Sequence, residues 1–287
     1  MAIALVVSFC VSLAVGAVHI PLSEVIDTLL GRQVPETSSQ IIEVLRLPRT
    51  VEAMVVGAAL GVAGACLQGA LNNPLASPDV IGVTGGAGFG AMLIILLFPE
   101  SQALLPMSAL FFGLLAAAMV FFIGFAGRGG GNITRIILAG IAIAALFSAA
   151  TAAIMAAYPD RVPNGIFFLV GGLTSSGWDN LQQVWPYFAV GFVLAAFMIR
   201  PLDRLMLGDD VAASLGSRPR LIRLLAALAA AILAAAAASI AGLLAFLGLV
   251  VPHLVRLMGG ARNQTYVMPV SALTGAALLT AADVAEA

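Results

Sequence analysis

The chain contains no lysine, and only 9% of its 287 residues carry a charge. A Walker-type phosphate loop needs a lysine that reaches the phosphates, so the glycine-rich segment 127–134 is not an ATP-hydrolysing site of that type. His19 and His253 are far apart in sequence and have no companion ligands at metal spacing. No nucleophile–base pair is evident either. We therefore expect no metal, no cofactor and no enzymatic activity in this chain.

Cysteine is scarce, because Cys10 and Cys66 are the only two and both lie inside apolar runs. Such positions favour small buried side chains over a disulfide. Apolar residues are abundant instead: they make up 61% of the chain, and the mean hydropathy is +1.09. The apolar runs are continuous and do not alternate with polar residues, which excludes a closed β-barrel. The composition predicts an all-α, polytopic bundle of membrane-spanning helices.

Nine apolar segments have the length that a membrane span requires. They are Met1–Val18, Thr50–Leu71, Val80–Phe98, Leu104–Phe125, Ile136–Ala157, Val184–Ile199, Leu221–Ile240, Gly242–Met258 and Val267–Ala282. The first segment could instead be a signal peptide, although it lacks a basic amino-terminal region. The seventh and eighth segments are joined almost without a loop, and Pro252 interrupts the eighth.

The arginines predict the orientation of these spans. Nine of the 13 flank the even-numbered loops: Arg128, Arg135, Arg200, Arg204, Arg218, Arg220, Arg223, Arg256 and Arg262. The other four, Arg32, Arg46, Arg49 and Arg161, flank the odd-numbered loops. Because basic residues concentrate in cytoplasmic loops, the even loops and the amino terminus should be cytoplasmic.

The segment Leu205–Arg220 is the one long polar island in the second half of the chain. We expect a short helix over Asp209–Leu215, with Asp209 and Asp210 at its amino end, Gly216 as a left-handed cap and Pro219 preventing continuation. Leu207, Val211 and Leu215 form one apolar stripe on it. A helix this short needs a surface to lie on. It is either the element that receives force from a soluble motor or an ordinary interfacial loop helix.

Two further predictions concern helix packing at the small residues and ion coupling at the acidic residues. Gly57, Gly61 and Gly64 follow one another at helical spacing, which favours close helix packing in lipid. Ion-coupled carriers usually place acids at mid-membrane, whereas Glu52, the acid inside the second segment, lies within a turn of its mouth. This position weakens the reading of the chain as a secondary carrier without excluding it.

Several motifs resemble the signature of one permease family. They are Arg46–Thr50, Val56–Leu60, Gln68, Asn73–Val83 with Asn73, Pro74, Pro78 and Gly82, Leu207–Gly216, Phe246–Arg256 with Gly248, Pro252, His253 and Arg256, and Met268–Ala276. In order and spacing they are similar to the FecCD family, from about Leu45 to Asp283. Members of that family are permease subunits of type II ABC importers for iron–siderophore complexes, haem and vitamin B12.

The resemblance implies a fold as well as a function. The family has ten spans per subunit, with helices two to five and seven to ten related as inverted repeats. Residues 1–287 would form one transmembrane domain, in which 200–223 is the cytoplasmic coupling loop. The family's tenth helix would follow Asp283, whereas this chain ends at Ala287. We therefore expect nine spans and an incomplete pore.

The resemblance also implies partners and residue roles. Separate ATPase subunits, a periplasmic or lipid-anchored binding protein, a second or sister permease and membrane lipid are expected, and no nucleic acid. Coupling to the ATPase would use Leu207, Asp209, Asp210, Val211, Leu215 and Gly216, and binding-protein docking would use Arg46 and Arg49. The cytoplasmic gate would be Asn132, Ile133 and Thr134, and the periplasmic gate Ile166, Phe167, Phe168, Gly171 and Gly172. Pro48 should break any helix that arrives from upstream of Arg49.

The motifs look most similar to ferric citrate and ferric siderophore permeases, which implies an iron(III) chelate as cargo in a bacterial inner membrane. Vitamin B12 or haem is the alternative cargo, although the B12 branch tends to differ at the Ser77 position. Two other classes stay open: an ion-coupled secondary carrier, and a structural or assembly subunit that transports nothing.

Overall fold

The computed structural model describes residues 1–16, 18, 20–32, 34–125, 133–173, 177–244, 246–260 and 263–286. Over these residues the regular structure is entirely helical. The helices are α1 (Ala2–Ala14), α2 (Leu22–Leu29), α3 (Glu36–Gln40), α4 (Leu47–Ala70), α5 (Val83–Leu97), α6 (Leu105–Phe125), α7 (Ile133–Ala157), α8 (Val162–Val170), α9 (Trp178–Leu205), α10 (Asp209–Ser214), α11 (Pro219–Ala241), α12 (Leu247–Gly259) and α13 (Gln264–Glu286). Short 3-10 turns cover Pro78–Ile81, Pro99–Leu104 and Pro159–Arg161.

The apolar helices confirm the predicted fold class. Six are long and apolar enough to cross a membrane: Glu36–Ala70, Pro99–Phe125, Thr134–Ala157, Trp178–Leu205, Pro219–Ala241 and Gln264–Ala285. Three shorter apolar helices are Ile3–Ala14, Val83–Leu97 and Leu247–Gly259. Together they match the nine predicted segments. Several boundaries differ from the predicted ones. At the eighth segment, Gly242 does not begin the helix, since its φ of +67° ends α11 and α12 begins at Leu247.

The expected break at Pro48 is wrong. A continuous helical segment runs from Glu36 to Ala70, and its turn Ile41–Arg46 has π-helical hydrogen bonding. Pro48 is the second residue of α4. A proline in the first turn after a change of hydrogen-bond pattern removes no bond that the helix depends on. The second span is therefore extended at its amino-terminal end by a helical arm back to Glu36.

The centre of the bundle is built around α4 and α11, the two long helices with the largest buried share. The glycines of α4 permit this arrangement. A Cβ atom at Gly57 would lie 2.2 Å from the Gly275 carbonyl oxygen, and one at Gly64 would lie 1.7 Å from the Gly248 carbonyl oxygen. No side chain fits at such distances, so the predicted close packing of these glycines, here against α13 and α12, is confirmed.

Polar contacts connect the helix ends at each of the two ends of the bundle. At one end of the bundle, Arg223 Nε donates to the Ala70 carbonyl oxygen at 3.1 Å, and Arg220 Nη2 donates to that of Phe125 at 3.0 Å. At the other end, Arg49 Nη2 lies 2.8 Å from Asp283 Oδ1. Helix ends that adjoin even-numbered loops thus meet each other at one end of the bundle. The amino-terminal end of α4 and the carboxyl-terminal end of α13 meet at the opposite end.

Candidate functional site

The predicted polar island forms a short helix with an uncovered apolar stripe. The helix α10 spans Asp209–Ser214, one residue shorter than expected. Leu207, Val211 and Leu215 are 62%, 46% and 56% exposed, so no described part of the chain covers the stripe. Gly216 has a φ of +75°, in agreement with its prediction as a left-handed cap. The island therefore presents three apolar side chains to whatever lies beyond this end of the bundle.

Asp209 and Asp210 begin α10 as predicted, although neither side chain caps the helix. The residue before the helix is Gly208, and no side chain bonds to the free N–H groups there. Instead the Asp209 carboxylate accepts two hydrogen bonds from Arg223, at 2.6 Å and 2.8 Å. These bonds and the guanidinium charge lower the pKa of Asp209 below its ordinary value. Because Arg223 also bonds to Ala70, the pair joins the island to both central helices. Asp210 is exposed.

The expected cytoplasmic gate falls mostly beyond what can be described. Asn132 lies outside the described residues, as does the glycine run before it. Ile133 begins α7, but its side chain is likewise outside the description. Thr134 and Arg135 occupy the first turn of α7 and are exposed. The gate remains a prediction that rests on the family resemblance.

The expected periplasmic gate forms a helix of its own, α8. Ile166 is 46% exposed and Phe167 69% exposed. The helix ends at Gly171, whose φ is +82°. A backbone hydrogen bond of 3.2 Å from the Leu243 N–H to the Phe168 carbonyl oxygen joins α8 to the turn after α11. A second bond, from the Gly172 N–H to Ala241, measures 2.9 Å.

A cavity of about 580 Å³ lies beside α8. Its walls come from α8 itself, the turn before α6, the start of α9 and the end of α11. The lining residues are Ile95, Gln102, Ala103, Leu105, Pro106, Asn164, Phe167, Phe168, Gly172, Asn180, Ser239, Ile240 and Gly242. Phe167 and Phe168 of α8 both line this cavity.

Arg46 and Arg49, the expected docking residues, both have partners inside the chain. Arg46 donates to the Leu13 carbonyl oxygen at 2.7 Å and also to that of Val18, and thereby supports the carboxyl-terminal end of α1. The Arg49 side chain is 36% exposed and pairs with Asp283, of which 7% is exposed. Sequence analysis missed both contacts, since neither partner lies near in sequence.

The two long family motifs meet inside the bundle. Gln68 accepts a hydrogen bond from Arg256 and donates one of 3.2 Å to the Leu249 carbonyl oxygen. A Cβ atom at Gly248 would lie 2.9 Å from Pro78 Cδ. The structure thus brings together residues that the sequence places almost two hundred positions apart.

Asp79 is a residue that sequence analysis did not single out. Its carboxylate lies near the Thr84 and Ser77 side chains and the backbone of Phe246. It is therefore situated between the starts of α5 and α12, and the signal for it was a carboxylate inside an otherwise apolar motif. Phe246 has a φ of +66°, which is unusual for a bulky side chain.

The other motif residues have local roles. Asn73 Oδ1 accepts a 3.0 Å bond from the Leu75 N–H in the turn that contains Pro74. Gly82 has a φ of +73° and precedes α5. Pro252 is buried within α12. His253 is exposed, and no hydrogen bond among the described residues links it to the Gln68–Arg256 pair.

Comparison with known proteins agrees with this arrangement. Residues 4–286 match the FecCD transport family. The Fe(3+)-citrate import permease YfmE of Bacillus subtilis is 35% identical, over 99% of this chain and 84% of that protein. The Bacillus subtilis iron(3+)-hydroxamate permease FhuB is 38% identical, over 96% and 71%. The cobalamin import permease BtuC of Halobacterium salinarum is 37% identical, over 87% and 67%.

A solved structure has the same fold. It is described as an inward-facing conformation of a putative metal-chelate type ABC transporter. The TM-score is 0.85 with 30% identity, and the match covers 99% of this chain and 87% of that one. The chain therefore belongs to the FecCD transport family and is a multi-span membrane permease of the ABC-importer type.

Proposed function

We propose that this permease carries an iron(III) chelate, such as ferric citrate or a ferric siderophore, inward across a bacterial inner membrane. The observation that carries the proposal is the match to iron-chelate permeases along nearly the whole chain. The contacts between distant family motifs inside the bundle support it. A permease of this kind selects little by itself and requires a soluble binding protein for capture.

ATP hydrolysis belongs to separate ATPase subunits in this proposal. The stripe of Leu207, Val211 and Leu215 is suited to a groove on such a subunit, because no described part of the chain covers it and an amphipathic helix binds a partner through its apolar face. The Asp209–Arg223 pair would then transmit motion of α10 to α11, and through Ala70 to α4. Asp210 and Gly216 complete this coupling surface.

We infer the orientation from the charge distribution. The end of the bundle that holds Arg220 and Arg223 also holds most of the other described arginines, and the preference of basic residues for cytoplasmic loops supports a cytoplasmic location for this end and for the amino terminus. Under this orientation α8, the cavity beside it and the Arg49–Asp283 pair face the periplasm. Residues 132–134 would form the opposite gate.

Two copies of the chain, or this chain and a sister permease, would enclose the transport path. Ile166, Phe167, Phe168, Gly171 and Gly172 would close that path at its outer mouth in one state and open it in another. Arg46 and Arg49 would contribute to the seat of the binding protein through the exposed part of the Arg49 side chain, although both are also bound within the chain.

Reconstituted transport tests the proposal. Proteoliposomes are prepared with the permease, the ATPase and the binding protein encoded beside it. They should take up radiolabelled ferric citrate or a ferric siderophore only when ATP is present on the side of the membrane that holds the ATPase subunits. Uptake of cyanocobalamin with no uptake of iron would select the vitamin B12 alternative, which the cobalamin relative makes the leading competitor. Uptake driven by an ion gradient without ATP would select a secondary carrier.

A further inference from the structure

A groove that no transport role explains lies between α9 and α11 at the end of the bundle that carries the polar island. Its volume is about 390 Å³. Arg204, Arg218 and Ser217 line its rim, and Met198, Leu221 and Leu225 line its floor. The groove is therefore charged at the level of the loop and apolar toward the centre of the helices.

The two arginines at the rim have no anionic partner in the described part of the chain. Neither Arg204 nor Arg218 forms an ion pair or a side-chain hydrogen bond there. The neighbouring carboxylates are engaged elsewhere: Asp209 is bound by Arg223, and Asp203 accepts bonds from Gln264 and Thr265. Asp210 is exposed and pairs with no described arginine. Two positive charges thus line one opening, and no described carboxylate neutralises them.

The floor of the groove continues onto a surface suited to acyl chains. Phe197 on α9 is 72% exposed, and Leu221 and Leu228 on α11 are 45% and 39% exposed. Their helices are membrane-spanning by length and composition. An occupant must therefore combine an anionic head at the rim with an apolar body that follows the two helices into the bilayer.

We propose that this groove binds an anionic phospholipid of the inner leaflet, with its phosphate between Arg204 and Arg218 and an acyl chain against Leu225. Basic pockets between membrane helices at the cytoplasmic surface suit such headgroups. The Ser217 hydroxyl supplies a further donor at the rim. The inference rests on the proposed cytoplasmic placement of this end and not on the identity of the cargo.

The position of the groove gives the lipid a role. Gly216, Ser217 and Arg218 form the joint between α10 and α11, and Arg204 lies in the last turn of α9. A phosphate held by both arginines ties this joint to α9. The bound lipid would stiffen the lever through which α10 moves α11, so coupled ATPase activity should be higher in membranes that contain anionic lipid.

Native mass spectrometry of the permease–ATPase complex provides the test. The complex is purified from nanodiscs of phosphatidylcholine with added cardiolipin, and bound cardiolipin is counted for wild type and for the double variant Arg204→Gln, Arg218→Gln. We expect a retained cardiolipin on wild type and a roughly thirtyfold weaker affinity in the double variant, equivalent to about 1 kcal/mol for each arginine.

Two further variants control this experiment. Arg220→Gln removes the same charge two positions from Arg218, but Arg220 faces Phe125 and not the groove, so cardiolipin should be retained. Leu225→Trp fills the floor without changing charge and should expel the lipid. Equal cardiolipin retention in wild type and the double variant would overturn the proposal. So would unchanged retention with loss of the ATPase subunits, which would assign the arginines to the protein contact.

Discussion

Arg49 and Asp283, 234 positions apart in the chain, form an ion pair in which the Arg49 Nε and Nη2 atoms lie 2.8 to 3.0 Å from the carboxylate oxygens. Asp283 is almost fully buried and Arg49 is partly exposed. The pair joins the amino-terminal end of α4 to the carboxyl-terminal end of α13. Removing one partner leaves a buried charge uncompensated, so the pair holds the fold together whether or not Arg49 also contacts another protein.

This ion pair changes how the docking hypothesis must be tested. Arg49→Glu alone should lower the melting temperature, because it places two carboxylates together. The swapped variant Arg49→Asp, Asp283→Arg restores opposite charges and should regain most of that stability. If Arg49 seats the binding protein, the swapped variant should still bind it at least tenfold more weakly, about 1.4 kcal/mol, in a surface-binding assay. Full recovery of both stability and binding would contradict a docking role.

The exposed stripe of α10 predicts a specific failure of coupling. Val211→Asp places a charge in the proposed ATPase groove, so the ATPase subunits should no longer co-purify with the permease. Ala213→Asp adds the same charge to another exposed face of α10 and serves as the matched control. Normal co-purification and normal coupled ATPase activity of Val211→Asp would assign the stripe to an interfacial loop helix instead.

The Asp209–Arg223 pair predicts an acid-sensitive stability. The pKa of Asp209 is lowered in the folded chain, so its contribution is complete above the ordinary aspartate pKa of about 4 and is lost as the pH falls through the lower folded value. The melting-temperature gap between wild type and Asp209→Asn should be constant near neutral pH and shrink in acid. A gap that is independent of pH would show that the pair contributes nothing through charge.

The junction of α8 and α11 should require glycine at position 242. Its φ is +67°, and an added Cβ would lie 2.4 Å from the Phe168 carbonyl oxygen. Gly242→Ala should therefore destabilise the protein by at least about 1 kcal/mol, measured by thermal unfolding. Gly177→Ala is the control, because that position has extended backbone and the described residues that surround it place no atom within 4 Å of the added Cβ. Equal effects of the two substitutions would contradict the close approach.

The outer gate predicts a dependence on nucleotide state. A cysteine at Phe168, beside the cavity, should react with a membrane-impermeant thiol reagent at different rates when ATP traps the complex and when nucleotide is absent. The same substitution at Trp185, which is 54% exposed on α9, monitors general access from outside. Equal labelling of Phe168→Cys in every state would indicate an inert re-entrant loop.

The structure confirms several features that the sequence predicted from local properties. Apolar runs located the six long apolar helices and the three shorter ones, because a chain in lipid must satisfy its backbone hydrogen bonds within each helix. The helix of the polar island and the left-handed Gly216 were predicted from helix caps and breakers, which act over a few residues. The predicted helix break at Pro48 was wrong, because the π-helical turn before it accommodates the proline.

The pairing of distant residues was decided only by the tertiary structure. Nothing near Arg49 in sequence indicates Asp283, and nothing near Gln68 indicates Arg256. Both pairs exist because α4 packs against α13 and α12 at glycines that permit backbone contact. The lipid groove has the same origin, since Arg204 and Arg218 share an opening only where α9 and α11 lie side by side. Hydropathy determines which segments cross the membrane, whereas helix packing determines which charges meet.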